Sequence, residues 1–213
     1  MKLGNIFILG DSYSTFEGYI PQGYYTYYTT EKQEYTDVSR VEETWWHRLA
    51  AEHGGNVIRN CSWSGTTICN TGYGGYCGDS SFVGRFDRLC ESGFFRDNGI
   101  DTVFIFGGTN DAWAESPVGE VKYSDWTEDD LKQALPAFCY LLHRVKESVP
   151  GARIVNILNN VVIKAELTEG YREACVHMGV EYVEAGDFGR ENGHPNIQGM
   201  AEIAERVAAA MEM

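Results

Sequence analysis

The sequence predicts an α/β fold built on a parallel sheet. Two observations carry the prediction. Short apolar runs alternate along the chain with stretches of helical periodicity, the pattern of strands joined by crossover helices. The clearest run, Thr102-Val103-Phe104-Ile105-Phe106-Gly107, is apolar at consecutive positions and ends in glycine, as suits a strand buried on both faces.

The elements follow in order. Residues 5–10 form a first strand. Residues 44–53 form a helix with Trp45, Trp46, Leu49 and Ala50 on its apolar side. A second strand covers 56–61, a helix 82–89, and the third strand 102–107. The longest helix starts at Thr127. Asp130 three residues on makes an approximate capping box, and Glu128, Asp129 and Asp130 suit the positive end of the helix dipole. Leu131, Leu135, Phe138, Leu142, Val145 and Val149 continue this helix at helical spacing, and Pro136 kinks or splits it. Residues 153–158 form a fourth strand, 166–178 a helix and 180–183 a short fifth strand. The last helix begins at Pro195, a favoured first helical residue, with Ile197, Met200, Ile203, Ala204, Val207 and Met211 on one face. No linker, repeat or low-complexity tract interrupts residues 1–213, so one domain is the simplest organisation. Two segments read as insertions: 16–43, crowded with tyrosine, and 69–81, crowded with glycine.

Composition narrows the function. The 31 acidic against 17 basic residues give a formal charge of −14. Such a surface repels phosphate backbones and anionic membranes and suits a neutral small-molecule substrate. No stretch approaches the ~20 apolar residues that span a bilayer. The N-terminus runs directly into a strand with no cleavable leader, which reads as cytoplasmic, or as exported if a signal peptide has been removed. Cys61, Cys69, Cys77, Cys90, Cys139 and Cys175 include no C-x-x-C pair and no Cys-His metal spacing. They read as free thiols, with a Cys69–Cys77 bridge considered only for an exported form.

In an open parallel sheet, ligands bind beyond the carboxyl ends of the strands. Polar groups suited to acyl transfer stand at four such positions: Gly10-Asp11-Ser12, Ser64-Gly65-Thr66, Gly107-Gly108-Thr109-Asn110-Asp111 and Glu191-Asn192-Gly193-His194-Pro195. A serine hydroxyl is a weak nucleophile until a base takes its proton. Ser12 sits at a strand-to-helix turn, and His194 can reach it from the loop before the last helix. The N–H groups of Ser12 and Gly65 and the Asn110 side-chain amide are donors for a tetrahedral oxyanion.

On these residues the chain resembles the SGNH hydrolases, or GDSL-like esterases, from Ile6 to the C-terminal helix. The resemblance implies a three-layer, flavodoxin-like α/β/α sandwich with about five strands, and ester hydrolysis with neither metal nor organic cofactor. It places the nucleophile on Ser12, the base on His194 and the oxyanion donors on Ser12, Gly65 and Asn110. One departure matters. The family carries aspartate three residues before the histidine, and this chain has Glu191. Glu191 is therefore the expected third triad member. The alternatives are a backbone carbonyl, which leaves a Ser-His dyad, and Asp187.

His47, His53, His143 and His177 lie in helical patterns and read as surface or packed side chains. Asp11 and Asp111 read as loop-fixing acceptors. Tyr24, Tyr25, Tyr27 and Tyr28 suit a substrate wall as well as a covering loop. The preferred substrate is a small O-acyl ester such as an acetylated carbohydrate. A lysophospholipase or thioesterase of the same fold is the runner-up, and a catalytically silent carbohydrate-binding protein is the reading from another class. Acyl-chain length and oligomeric state are not written in the sequence.

Overall fold

The structure, a computed structural model, describes residues 2–212. In chain order its elements are β1 (Gly4–Gly10), α1 (Trp45–Glu52), β2 (Gly55–Asn60), β3 (Thr71–Gly72), β4 (Gly75–Tyr76), α2 (Phe82–Glu91), α3 (Phe94–Asp97), β5 (Thr102–Gly107), α4 (Thr109–Trp113), α5 (Ala134–Ser148), β6 (Arg153–Leu158), α6 (Ala165–Met178), β7 (Glu181–Glu184), β8 (Arg190–Glu191), β9 (His194–Pro195) and α7 (Ile197–Ala210). The main sheet has the order β2-β1-β5-β6-β7, and every neighbouring pair in it is parallel. Counting its strands alone, that is the 2-1-3-4-5 order of flavodoxin-like folds.

Strand periodicity explains the layers. Phe7, Leu9, Val103, Ile105, Ile154 and Leu158 face α2, α5 and α6. Ile6, Ile8, Phe104, Phe106, Val155, Ile157 and Val183 point the other way, onto α1 and α7. Because both faces are covered there, the inner strands β1, β5 and β6 are mostly apolar, whereas the edge strands β2 and β7 carry Asn56, Arg59, Glu181 and Glu184.

Two local expectations are corrected. The predicted helix from Thr127 is two pieces: a 3-10 turn at Asp130–Lys132 and α5 from Ala134, separated by extended Gln133. Thr127 and Asp130 do form the reciprocal cap, with Thr127 N–H donating to Asp130 and Asp130 N–H to Thr127 Oγ1, but they cap the short turn. Pro136 then falls in the first turn of α5, where its missing N–H costs nothing and no helical carbonyl at position 132 meets its ring. The last helix starts at Ile197, not Pro195, because Asn196 caps it by accepting from Gly199 N–H. The six cysteines are free thiols, as the sequence suggests. Cys69 donates to Thr71 O and Cys77 hydrogen-bonds with Thr67 Oγ1.

The two segments that read as insertions are built differently. Residues 69–81 contain the β3–β4 hairpin with Tyr73 at its tip. The 16–43 segment is mostly irregular and lies over the start of α7, where Ile197 N–H donates to Asp37.

Candidate active site

Ser12, Gly65 and Asn110 follow β1, β2 and β5, three strands adjacent in the sheet. Ser12 opens a single 3-10 turn, Ser12–Ser14, whose cap Asp11 accepts from Tyr13 N–H at 3.0 Å. The strand-to-helix turn is thus only three residues of 3-10 helix, so a helix dipole adds little at Ser12. Gly10 is required by packing: a Cβ there would sit 2.6 Å from Ser62 Oγ and 2.7 Å from Ser14 Cβ. Arg85, fully buried on α2, fastens these turns from below. Its guanidinium donates to Gly10 O at 3.2 Å, Thr66 Oγ1 at 3.0 Å and Ser80 O at 2.8 Å, and also to Cys61 O. Nothing in the sequence pattern singles Arg85 out.

His194 arrives on a hairpin. Asn192 and Gly193 both have positive φ, 47° and 78°, and join β8 to β9 as a two-residue loop of the Asn-Gly kind that favours a type I′ turn. The Asn-Gly dipeptide was the available signal for this hairpin. The loop is held by Tyr13 OH donating to Gly193 O at 2.6 Å, Tyr28 OH donating to Pro195 O at 2.8 Å, and Asn192 Nδ2 donating to Tyr35 O at 3.0 Å. The result is a hydrogen bond between His194 Nε2 and Ser12 Oγ at 2.9 Å, across 182 residues of chain.

The other ring nitrogen settles the tautomer. His194 Nδ1 lies 3.0 Å from Asn192 O. A carbonyl only accepts, so Nδ1 carries the proton, and the Nε2 lone pair faces the serine hydroxyl. Here the structure departs from the expected triad. The partner of Nδ1 is this main-chain oxygen, and Glu191 makes no hydrogen bond to the imidazole among the described residues. Asp187 pairs with Arg190 at 2.8 Å and is exposed. The Asn-Gly turn is the physical reason, since it folds the Asn192 carbonyl back beside the ring. Burial holds the His194 imidazole below its ordinary value, while the bond to Asn192 pulls the other way. Tyr27 stacks flat on this ring, centroids 3.6 Å apart and planes 9° from parallel. Tyr13 and Trp113 approach it edge-on at 5.3 and 6.1 Å.

Asn110 lies in the first turn of α4 and is buried. Its Oδ1 accepts from Tyr73 OH at 3.0 Å, and its Nδ2 is 3.4 Å from Asp11 Oδ2. Two contacts thus set which end of the amide faces which way. Asp111 accepts from Ile68 N–H at 2.8 Å and Cys69 N–H at 3.1 Å, tying the loop after β2 to α4. Both aspartates fix loops, as expected. Burial pushes the Asp11 carboxyl up to about 7.

The four tyrosines separate. Tyr28 is fully buried and holds the histidine loop, so it cannot touch substrate. Tyr27 covers the imidazole. Tyr24 stacks on Trp63 at 4.1 Å. Tyr25, 73% exposed, projects beside the Gly65 loop, whose Ser64 N–H donates to Tyr25 O at 2.9 Å. A groove along β2, lined by Tyr19, Trp46, His47 and Arg59, lies on the sheet's flank and holds no nucleophile–base pair. Among the described residues no group of three or more His, Cys, Asp or Glu could hold a metal ion, and no helix is long and apolar enough to cross a membrane.

The family model for GDSL-like lipase/acylhydrolase matches residues 4–211. A protein from Bacteroides ovatus ATCC 8483 described as a GDSL-like lipase is 41% identical over 100% of this chain and 99% of its own, with a TM-score of 0.91. A second, from Bacteroides uniformis ATCC 8492 and described in the same way, is 41% identical over 98% and 95%, with a TM-score of 0.89. A family two carbohydrate esterase from Clostridium thermocellum, solved with cellohexaose, shares the fold at 22% identity over 98% of this chain and 63% of its own, with a TM-score of 0.66. No curated protein matches the sequence. With its parallel sheet, its rim residues and these relatives, the chain belongs to the GDSL-like lipase/acylhydrolase family, the SGNH hydrolases, and is a carboxylic ester hydrolase.

Proposed function

We propose that the chain removes a small acyl group, such as acetyl, from a carbohydrate ester through a Ser12–His194 dyad. The observation that carries the mechanism is the 2.9 Å contact between His194 Nε2 and Ser12 Oγ, with the Nδ1 proton held on Asn192 O. As Oγ attacks the ester carbonyl, Nε2 takes its proton. The tetrahedral oxyanion is held by the N–H groups of Ser12 and Gly65, neither of which has an acceptor within the described protein, and by Asn110 Nδ2. Protonated His194 then gives its proton to the departing alkoxide, leaving an acyl-serine. Water, deprotonated by His194, attacks the acyl-serine and restores the enzyme.

The substrate class rests on what surrounds the serine. Tyr25, Tyr73 and Trp113 are 73%, 59% and 41% exposed around the rim. Flat aromatic faces open to water suit the apolar faces of sugar rings. A net charge of −14 suits a neutral glycan better than an anionic phospholipid.

Hydrolysis of p-nitrophenyl acetate by the wild type and by Ser12→Ala tests the mechanism. Turnover that survives the substitution removes it and favours a silent carbohydrate-binding protein with adventitious activity. An acyl series from two to twelve carbons, run beside a panel of acetylated sugars, tests the substrate. Preference for long chains would mark a lysophospholipase or thioesterase instead.

A further inference from the structure

We infer that Tyr27 does part of the work an acidic residue does in a catalytic triad: its ring face stabilises the His194 imidazolium and fixes the plane of the ring. The inference rests on the dyad proposed above. It starts from a deficit. When Nε2 takes the serine proton, the imidazole becomes a cation in a half-buried place. Its Nδ1–H reaches a neutral carbonyl, and no carboxylate among the described residues bonds to it.

What does meet the ring is Tyr27, at 3.6 Å and 9°. The face of a phenol ring is the negative end of its quadrupole and attracts a cation placed over it, more so where water is excluded. The attraction barely exists for neutral imidazole. It therefore appears with the charge in the transition state and raises kcat without tightening substrate binding.

The ring is itself held in place. Tyr27 N–H donates to Thr15 Oγ1 at 2.9 Å, and Tyr35 OH donates to Tyr27 O at 3.3 Å. Tyr28 and Tyr35 pack edge-on against it at 4.9 and 5.0 Å. Its phenol stays neutral at working pH, since burial, Tyr35 and Glu191 push it up to about 12. The groups around His194 are Ser12 and Tyr13 from the first turn, Trp113 from α4, Tyr27 from the insertion, and Asn192 with the charged Glu191 and Arg190 from its own hairpin. On this view Tyr27, unlike Tyr25 at the rim, is a positioning and charge-stabilising part of the site rather than a substrate wall.

The test compares Tyr27→Phe, which keeps the ring face, with Tyr27→Leu, which keeps apolar bulk but has no quadrupole. For p-nitrophenyl acetate, kcat should fall about tenfold in Tyr27→Leu, equivalent to ~1.4 kcal/mol, with KM unchanged. The acid limb of its pH–rate profile should move to lower pH, because the cation has lost its stabiliser. Tyr27→Phe should match the wild type in both. A second readout needs no activity: the His194 ring, titrated by NMR in Ser12→Ala protein, should ionise at lower pH once Tyr27→Leu is added. If Tyr27→Leu does not fold, as judged by circular dichroism, Tyr27→Met supplies the same comparison. A raised KM with the acid limb unmoved would reduce Tyr27 to a wall. Equal losses in Tyr27→Phe and Tyr27→Leu would assign the effect to the hydroxyl. Either result overturns the inference. Turnover that survives Ser12→Ala would instead remove the dyad itself, so the two failures are distinct.

Discussion

Replacing Glu191 with glutamine should cost little, although this residue stands where the family has its triad acid. In a serine hydrolase whose carboxylate orients the histidine, exchanging acid for amide lowers kcat about 10⁴-fold, or ~5.4 kcal/mol, because the wrong tautomer is then favoured. Here Asn192 O, 3.0 Å from Nδ1, selects the tautomer, and Glu191 makes no hydrogen bond to the ring. Glu191→Gln removes a negative charge near the Tyr27 phenol and leaves the backbone acceptor in place. The expected loss in kcat/KM is under about threefold, less than ~0.7 kcal/mol. Asn192→Val provides the contrast. A β-branched residue at φ 47° is strained by ~1–2 kcal/mol and displaces the carbonyl, so this variant should lose more activity than Glu191→Gln. The assay is kcat/KM on p-nitrophenyl acetate, with Tm recorded for each variant. A loss beyond about a hundredfold in Glu191→Gln at unchanged Tm would refute the reasoning and restore the glutamate to the triad.

Four further outcomes follow from the site. Asn110→Ala should lower kcat about 10²–10³-fold, as loss of one oxyanion donor does, and a loss below about threefold would exclude it from that role. Tyr73→Phe removes the anchor of Asn110 Oδ1 and should lower kcat about three- to tenfold, the worth of one hydrogen bond; in an Asn110→Ala background the same change should do nothing. The rate should fall as His194 protonates, since a protonated ring cannot accept the Ser12 proton. Because burial depresses that ionisation, kcat/KM should persist to lower pH than an exposed imidazole would allow, and an acid midpoint above 6.5 would contradict this. Arg85→Leu leaves Cys61 O and Ser80 O without their donor, with only Trp63 N–H still donating to Gly10 O, and should destabilise the fold by ~3 kcal/mol or more, read by calorimetry as a Tm drop of roughly 6–12 °C.

Much of this molecule was legible in its sequence, for physical reasons that also explain the gaps. Strands buried on both faces must be continuously apolar, so runs such as Thr102–Gly107 announce themselves. Ser12 and His194, the proposed nucleophile and base, were visible because they are side chains of distinctive type at the ends of such runs. The Nδ1 acceptor was hidden, because a main-chain carbonyl has no residue signature. Its clue was Asn192-Gly193, a turn dipeptide that read as part of a loop. The start of α7 was misplaced for a related reason: Pro195 favours a helix N-terminus, but it pairs with Arg190 in the hairpin while Asn196 makes the cap. Arg85 and Tyr73 act through contacts across 75 and 37 residues, and local pattern cannot register those. The tyrosine-rich insertion was recognisable as a feature. Only coordinates separate Tyr28, buried as a strut, from Tyr27 on the imidazole and Tyr25 at the rim.

The central claim is that Ser12 is a nucleophile deprotonated by His194. It is tested most directly by treating the protein with a serine-directed fluorophosphonate and locating the adduct by peptide mass spectrometry. The account predicts one added phosphonyl group on the peptide containing Ser12, none in Ser12→Ala, and a rate slowed by several orders of magnitude in His194→Ala. An unmodified Ser12 in protein that still hydrolyses esters would contradict it.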